Sequence, residues 1–238
     1  MLAVLLGVTY APASNPDVRA CEAPTPYLTN AHISLIYWGK AWARTTTRPS
    51  QAQFTAALRD IVNGPWSSQL TQYHHVGVSS IDQVVTYAHS DAPAHFTDQD
   101  IRSFLEARIN FAQVNPPAPH TCRVYAVLLP AGTVAADPSR TGEHLNYVRE
   151  NSAPVYLAWI LNDATLTSAN SIPKMFSHEL AETLTDADVS TGRHGISVGS
   201  EHDEIADVCN YKYRTVKGHA EQAYWSVAAS QCVLPTSW

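Results

Sequence analysis

Residues 177–182 (Ser-His-Glu-Leu-Ala-Glu) are the stretch that decides how the fold of this 238-residue chain is interpreted. On a helix, His178 and Glu182 lie four residues apart and share one face, where both can reach one ion. This is the spacing of the His-Glu-x-x-His helix of zinc enzymes, with a carboxylate in place of the second imidazole. Glu179, next to the first ligand, can hold a water near the ion without binding the ion itself. The stretch therefore predicts a metal-site helix with Glu179 as its general base.

Residues 204–209 (Glu-Ile-Ala-Asp-Val-Cys) extend this pattern. Zinc hydrolases of the thermolysin type take a third ligand from a glutamate about twenty residues after the zinc helix, and Glu204 follows Glu182 at about that distance. Asp207 comes one helical turn later and is expected to orient the ligating histidine. We therefore predict one catalytic Zn²⁺ that is bound by His178, Glu182 and Glu204.

Three alternatives for this region stay open. His202, two residues before Glu204, can act as a ligand or as a donor to the transition state. Calcium is a second alternative, less favoured because it would not need His178. The hard oxygen donors for calcium would be Asp186, Asp188, Glu201 and Asp203. The third alternative is an ordinary amphipathic helix whose acids face solvent.

The composition limits the classes of function. Hydrophobic residues make up 45% of the chain and charged residues 15%, which allows a sizeable core in one domain. The net charge of −6 and the lack of a basic run argue against a nucleic-acid-binding protein. No Gly-x-Ser-x-Gly motif supports a serine nucleophile. No later segment approaches the ~20 apolar residues that span a bilayer, so we expect no membrane association.

The N-terminus and the cysteines indicate export. Residues 1–8 are apolar and precede small residues, which is similar to the end of a secretory signal, with a buried strand as the alternative. We assign residues 1–20 to a signal remnant or extended lead-in and residues 21–238 to a single domain. The four cysteines form no Cys-x-x-Cys pair, which disfavours a thiolate zinc site and predicts two disulfides. Of the three possible pairings we favour one that joins Cys209 to Cys232, near the C-terminal strand.

Hydrophobic periodicity predicts the main elements. Strands are predicted at residues 32–39, 123–129 and 155–161, and the last two are apolar runs typical of central strands that are covered on both faces. Helices are predicted from Pro49-Ser50 to Gly64-Pro65, from a Thr97 cap to Ile109, and from Ser171 to Thr185. His144 precedes the third strand and is expected at the surface or in the core, with a place in the cleft as the alternative.

Seven short segments carry a family resemblance. They are residues 33–39 (ISLIYWG), 49–51 (PSQ), 96–101 (FTDQDI), 125–130 (YAVLLP), 177–182 with Thr185-Asp186, 204–209 (EIADVC) and 224–226 (YWS). Together they cover most of residues 30–235 and resemble the EXORDIUM / phosphate-induced protein family and its bacterial secreted relatives. The two acidic motifs are the most specific of them. The chain departs from the family pattern at Ala187, where a proline commonly follows the Thr-Asp pair.

This resemblance implies an exported α/β protein. Plant members of the family lack the His-Glu helix and are discussed as growth-related cell-wall proteins. The present chain retains that helix and is similar to a bacterial branch with a metallopeptidase-type site. The resemblance by itself does not imply catalysis.

Two functional expectations follow. The first is a secreted zinc-dependent hydrolase, a metallopeptidase that acts on a peptide or protein substrate. The alternative is a non-catalytic extracellular or cell-wall binding protein on a zincin-like scaffold. The expected fold is α/β (α+β), a zincin-like single domain with a mixed sheet, a metal-site helix and a second backing helix.

Overall fold

The computed structural model describes residues 8–10, 21, 26–47, 49–73, 76, 79–149, 153–163, 170–190, 195–199 and 203–234. In chain order the strands are β1 (Val8–Tyr10), β2 (Ala31–Trp38), β3 (Ser79–Tyr87), β4 (His95–Phe96), β5 (Arg123–Leu129), β6 (Val134–Ala135), β7 (Gly142–Val148), β8 (Pro154–Leu161), β9 (Ile196–Val198), β10 (Asp203–Glu204), β11 (Tyr213–Val216), β12 (His219–Gln222), β13 (Tyr224–Ser226) and β14 (Gln231–Val233). The helices are α1 (Gln51–Asn63), α2 (Pro65–Ser68), α3 (Asp98–Asn110) and α4 (Ser171–Thr185), with short 3-10 helices at Lys40–Ala43, Gln69–Gln72 and Asp207–Cys209. Within these described ranges, no helix has the length and hydropathy needed to cross a membrane.

A five-stranded mixed sheet with the order β3-β2-β5-β8-β7 forms the centre of the protein. The first four strands run parallel to one another, and the edge strand β7 pairs antiparallel with β8. Two-stranded ribbons β4-β6, β11-β12 and β13-β14 and the small sheet β1-β9-β10 lie outside this sheet. The mixed α/β fold class predicted from the sequence is confirmed.

Successive side chains of the central strands point to opposite faces of the sheet, so a hydrophobic core forms on each face. In β2, Ile33 and Leu35 belong to one core, whereas Ile36 and Trp38 belong to the other. Helices α1 and α4 pack on the first core and α3 packs on the second. Because both faces are covered, β5 and β8 are buried along their whole length, as their apolar runs predict.

Local signals in the sequence set the starts of α1 and α3. Ser50 and Gln53 form a capping box at the start of α1, and Thr97 and Asp100 form one at the start of α3. Each box satisfies backbone N–H groups that a helix N-terminus leaves without partners. The helix α1 ends before Gly64, where the sequence predicts its end.

Helix α4 is buried on nearly its whole surface. Its apolar residues face the sheet: Ile172, Phe176, Leu180 and Leu184. Strand β12 lies against its polar side, where the backbone N–H of Gln222 donates to Ser177 Oγ at 2.9 Å. The alternative of a helix with solvated acids is wrong, because Glu179 and Glu182 are each only 3% exposed.

Two disulfides join distant parts of the chain: Cys21–Cys122 and Cys209–Cys232. Both predicted bridges therefore form, and the pairing favoured from the sequence is confirmed. The second bridge ties the 3-10 helix that follows Glu204 to β14. The segment that carries two of the predicted site residues is thus held against the C-terminal strands.

Two local expectations differ from the structure. Glu204 and Asp207 do not share a helix, because Glu204 pairs with Ser197 in the β9-β10 ladder and Asp207 begins a separate 3-10 helix. The ladder holds residues 203–204 extended, so a helix cannot include them. At the N-terminus, residues 8–10 form β1 beside β9, and the rest of the predicted signal remnant lies outside the described residues.

Candidate metal centre

The first group of possible ligands combines α4 with the segment after β10. His178 Nε2 lies 3.1 Å from Glu182 Oε1 and 3.5 Å from Asp207 Oδ1. One ligand atom of each residue lies within 4.8 Å of the other two. The shared helix face predicted for His178 and Glu182 is therefore present, and Asp207 lies beside the same imidazole nitrogen.

The second group is centred on His144 in the edge strand β7. Its Nδ1 lies 3.8 Å from Glu179 Oε2 and 3.5 Å from Glu182 Oε2. Its Nε2 lies 3.2 Å from Glu204 Oε1 and 3.2 Å from the backbone oxygen of Asp186. A histidine for which the sequence favoured the surface or the core thus stands among three carboxylates.

Tertiary packing brings these elements together. The helix α4 packs against both β7 and β8, so residues on its outer side face the edge strand. The segment with Glu204 and Asp207 is held from the other side, where the backbone N–H of Trp225 donates to the backbone carbonyl of Ile205 at 2.8 Å. No pattern in the local sequence places β7 beside this segment.

Gln222 is a site residue that the sequence did not indicate. Its Nε2 lies 2.5 Å from His178 Nδ1 and 3.2 Å from the carbonyl oxygen of Ala206. The amide therefore contacts the ring nitrogen that points away from Glu182 and Asp207. An imidazole that binds a metal through Nε2 carries its proton on Nδ1 and donates it, so in the metal-bound protein the amide would present its Oε1, which is buried without a hydrogen bond, to this nitrogen. Such a bond fixes the orientation of the ring, which is the role expected from the sequence for Asp207.

A cavity of about 280 Å³ opens between β7 and α4. It is lined by Arg140, Gly142, Glu143, His144, His178, Glu179, Glu182, Glu204 and Asp207. A Cβ at Gly142 would collide with the end of the Glu179 side chain, whose Cδ would lie 3.0 Å away. Because residue 142 is a glycine, there is room for the Glu179 carboxylate.

The two histidines have opposite electrostatic surroundings. Burial lowers the pKa of His178 to about 4, so its ring is neutral near pH 7, which is the state that binds a metal. Burial also acts to lower the pKa of His144, but the three carboxylates around its ring outweigh burial and raise that pKa well above its usual value. These carboxylates therefore favour the protonated ring of His144, which compensates part of the acidic charge.

The four acids are also perturbed. Burial raises the pKa of Glu179 to about 7 and that of Glu182 well above its usual value. Burial acts in the same direction on Glu204, but the hydrogen bond from His144 outweighs it and lowers the pKa. Burial raises the pKa of Asp207, although about half of its side-chain surface is exposed. A bound cation would favour the ionised form of each acid.

These residues fit a divalent cation. Imidazole nitrogen and carboxylate oxygen are donors that zinc and related first-row cations accept. Glu182 Oε1 is buried and takes part in no hydrogen bond, since its 3.1 Å contact with His178 lacks hydrogen-bond geometry. A buried carboxylate oxygen in that state is costly, and a cation in the cavity would compensate it. The buried His and Glu groups can therefore hold a metal ion.

The remaining candidates occupy other positions. His202 and Glu201 lie outside the described residues. Asp186 Oδ1 accepts a hydrogen bond from Gly195 N–H at 2.6 Å, and Asp188 Oδ1 accepts one from Asn146 at 2.9 Å. Neither aspartate belongs to a group of three converging ligand atoms among the residues described, so the geometry does not favour the calcium alternative.

Comparison of the sequence with known protein families finds no matching family. Comparison with curated proteins finds no significant match. The resemblance to the EXORDIUM family therefore stays a prediction.

Proposed function

We propose that this protein is a secreted zinc-dependent hydrolase that cleaves peptide bonds. The observation that carries the proposal is the convergence of His178, Glu182 and Asp207 on a cavity that also holds the buried carboxylate of Glu179. A structural metal site is closed by its ligands, whereas a catalytic site keeps an open position and an acid–base group beside it. The cavity and Glu179 meet both requirements.

The metal would be held by His178 Nε2 and by the carboxylates of Glu182 and Asp207. Glu204, the third ligand predicted from the sequence, lines the same cavity, but its Oε1 lies 3.2 Å from His144 Nε2, and its role as a ligand stays a prediction. When bound, zinc polarises a carbonyl group and lowers the pKa of water. Because two of the three ligands are carboxylates, the ion would be a weaker Lewis acid than in a two-histidine site, and we expect modest activity.

Glu179 would take the proton of the attacking water on a carboxylate oxygen and pass it to the leaving amine. The pKa of Glu179 is about 7 without metal, and a bound cation would lower that pKa, so the base form would be the resting form near neutral pH. Gly142 keeps the space that this carboxylate occupies. Gln222 holds His178 in the orientation that points Nε2 toward Glu182 and Asp207.

The two disulfides support a secreted protein. Disulfides persist in oxidising compartments and are rare in the cytosol. Cys21–Cys122 and Cys209–Cys232 use all four cysteines of the chain.

The test is a hydrolysis screen with purified, zinc-loaded protein on a panel of protein and peptide substrates. We expect cleavage by the wild type. His178→Ala should lose the ion of this site together with cleavage, because the two remaining ligands bind it too weakly. The matched control is His95→Gln, which changes an exposed histidine in β4 that is not among the residues lining the cavity.

A zinc-loaded wild type that cleaves no substrate would instead favour the binding-protein alternative. Wild-type protein that takes up no transition metal on titration would contradict the metal site itself.

A further inference from the structure

The two oxygens of Glu182 face different histidines. Oε1 lies 3.1 Å from His178 Nε2, and Oε2 lies 3.5 Å from His144 Nδ1. The two groups of converging ligand atoms, His178 with Asp207 and His144 with Glu179, have this one glutamate in common. Each group has its own imidazole and its own second carboxylate, so neither depends on the other for more than Glu182.

We propose that the cavity holds two divalent cations that share Glu182 as a bridging carboxylate. The first cation is the one assigned above to His178, Glu182 and Asp207. The second is bound by His144, Glu179 and the other oxygen of Glu182. Carboxylate-bridged metal pairs in enzymes lie roughly 3.5–4 Å apart, a separation that one carboxylate can span.

The charge of the cavity supports two ions. Glu179, Glu182, Glu204 and Asp207 face it with four carboxylates, whereas Arg140 is paired with Glu143 and Asp137. One divalent cation and the protonated ring of His144 would together supply three positive charges, so about one of the four negative charges would stay uncompensated in a largely buried space, which is costly. Two divalent cations would neutralise all four, and the second would take the place of the cationic charge on His144.

The unpaired oxygen of Glu182 indicates a ligand on the side of this carboxylate that faces His178. Glu182 is 3% exposed, and its Oε1 has no hydrogen bond although the residue lines the cavity. Its other oxygen is close to His144. If Glu182 bridges two ions, both of its oxygens have a partner. Without the ions, only Oε2 has one.

The second ion changes how the proposed hydrolysis works, and this consequence rests on that proposed function. A cation on Glu179 occupies the carboxylate that would take the proton from water. Hydrolysis should therefore be fastest with one equivalent of metal and should fall as a second equivalent binds.

The test measures stoichiometry. Protein stripped with a chelator is titrated with Zn²⁺ by calorimetry, and bound zinc is measured by elemental analysis after gel filtration. We expect two equivalents in the wild type and in the control His95→Gln, and one equivalent in His144→Gln. Saturation of the wild type at one equivalent, or two equivalents in His144→Gln, would overturn the second site.

A second measurement needs no variant. Wild-type protein loaded with Mn²⁺ should give an exchange-coupled EPR spectrum at low temperature, because the two ions share a carboxylate. A spectrum of isolated Mn²⁺ at full loading would overturn the bridge. If two equivalents bind but no substrate is hydrolysed with one or with two equivalents, only the proposed hydrolase function is contradicted. If substrate is hydrolysed but the protein saturates at one equivalent, only the second cation is contradicted.

Discussion

Glu179→Gln is the substitution that separates a catalytic base from a structural acid. Glu179 is 3% exposed, and its burial raises its pKa to about 7 from the ordinary value of 4.5. Glutamine has nearly the same size and cannot ionise. The variant should therefore change the charge and the proton-accepting capacity of the site while it leaves the packing beside Gly142 in place.

The pKa predicts the stability of the metal-free protein. The folded protein holds the Glu179 proton more tightly than the unfolded chain, so this carboxyl contributes stability below pH 4.5 that is lost as the pH rises through 7. The loss at pH 8 amounts to about 3 kcal/mol, from the difference between the two pKa values. Glutamine avoids that loss. Relative to the wild type, metal-free Glu179→Gln should gain about 3 kcal/mol in free energy of unfolding between pH 4.5 and pH 8.

The assay is urea unfolding of both proteins in the presence of a chelator at the two pH values. Asp203→Asn, which removes an exposed acid in β10, is the control for the loss of one negative charge. With one equivalent of zinc bound, the same Glu179 variant should keep that ion and lose hydrolysis by ~10²–10⁴-fold, the usual contribution of a general base. Wild-type hydrolysis should rise with pH as Glu179 ionises, with a midpoint at or below about 7 because the cation favours the carboxylate.

Two results would refute this reasoning. The first is a variant that is less stable than the wild type at pH 8 and whose stability relative to the wild type does not rise between pH 4.5 and pH 8. This result would show that burial does not raise the pKa of Glu179. Loss of the first equivalent of zinc from Glu179→Gln would show that Glu179 is a ligand of the catalytic ion rather than its base.

Three further predictions follow from contacts in the structure. Asp207→Asn should lose one equivalent of zinc and Glu204→Gln should lose none, because Asp207 belongs to the group around His178; elemental analysis showing the reverse would restore Glu204 as the third ligand. Native protein should show no free thiol on titration, and reduction should lower the melting temperature, since loops of this length contribute about 3–5 kcal/mol each; four reactive thiols would contradict the bridges. Gly142→Ala should displace the Glu179 carboxylate and lower kcat of protein that holds one equivalent of zinc, and unchanged kinetics would show that the side chain has other room.

Much of the secondary structure could be predicted because its causes are local. The capping boxes at Ser50 and Thr97 involve side chains three residues from the groups that they satisfy. The apolar runs of β5 and β8 follow from their position at the centre of a covered sheet. The spacing of His178 and Glu182 needs only the geometry of one helix.

The segment from Glu204 to Asp207 shows where local prediction fails. Helical spacing suggested a shared face, but pairing with β9 holds Glu204 extended, and the strand partner lies outside the window of a local pattern. Both residues still reach the cavity, because the Cys209–Cys232 bridge and the contact of Trp225 with Ile205 hold the segment there.

The sequence by itself determined the helix that displays His178, Glu179 and Glu182, because residues on one helix have fixed relative positions. Only the tertiary structure decided what faces them. His144 arrives on the antiparallel edge strand and Gln222 on β12, and neither has a sequence signal, because their contacts with α4 depend on how separate elements pack. Burial itself, which sets the pKa values of the site, is likewise a property of the assembled layers and of no single segment.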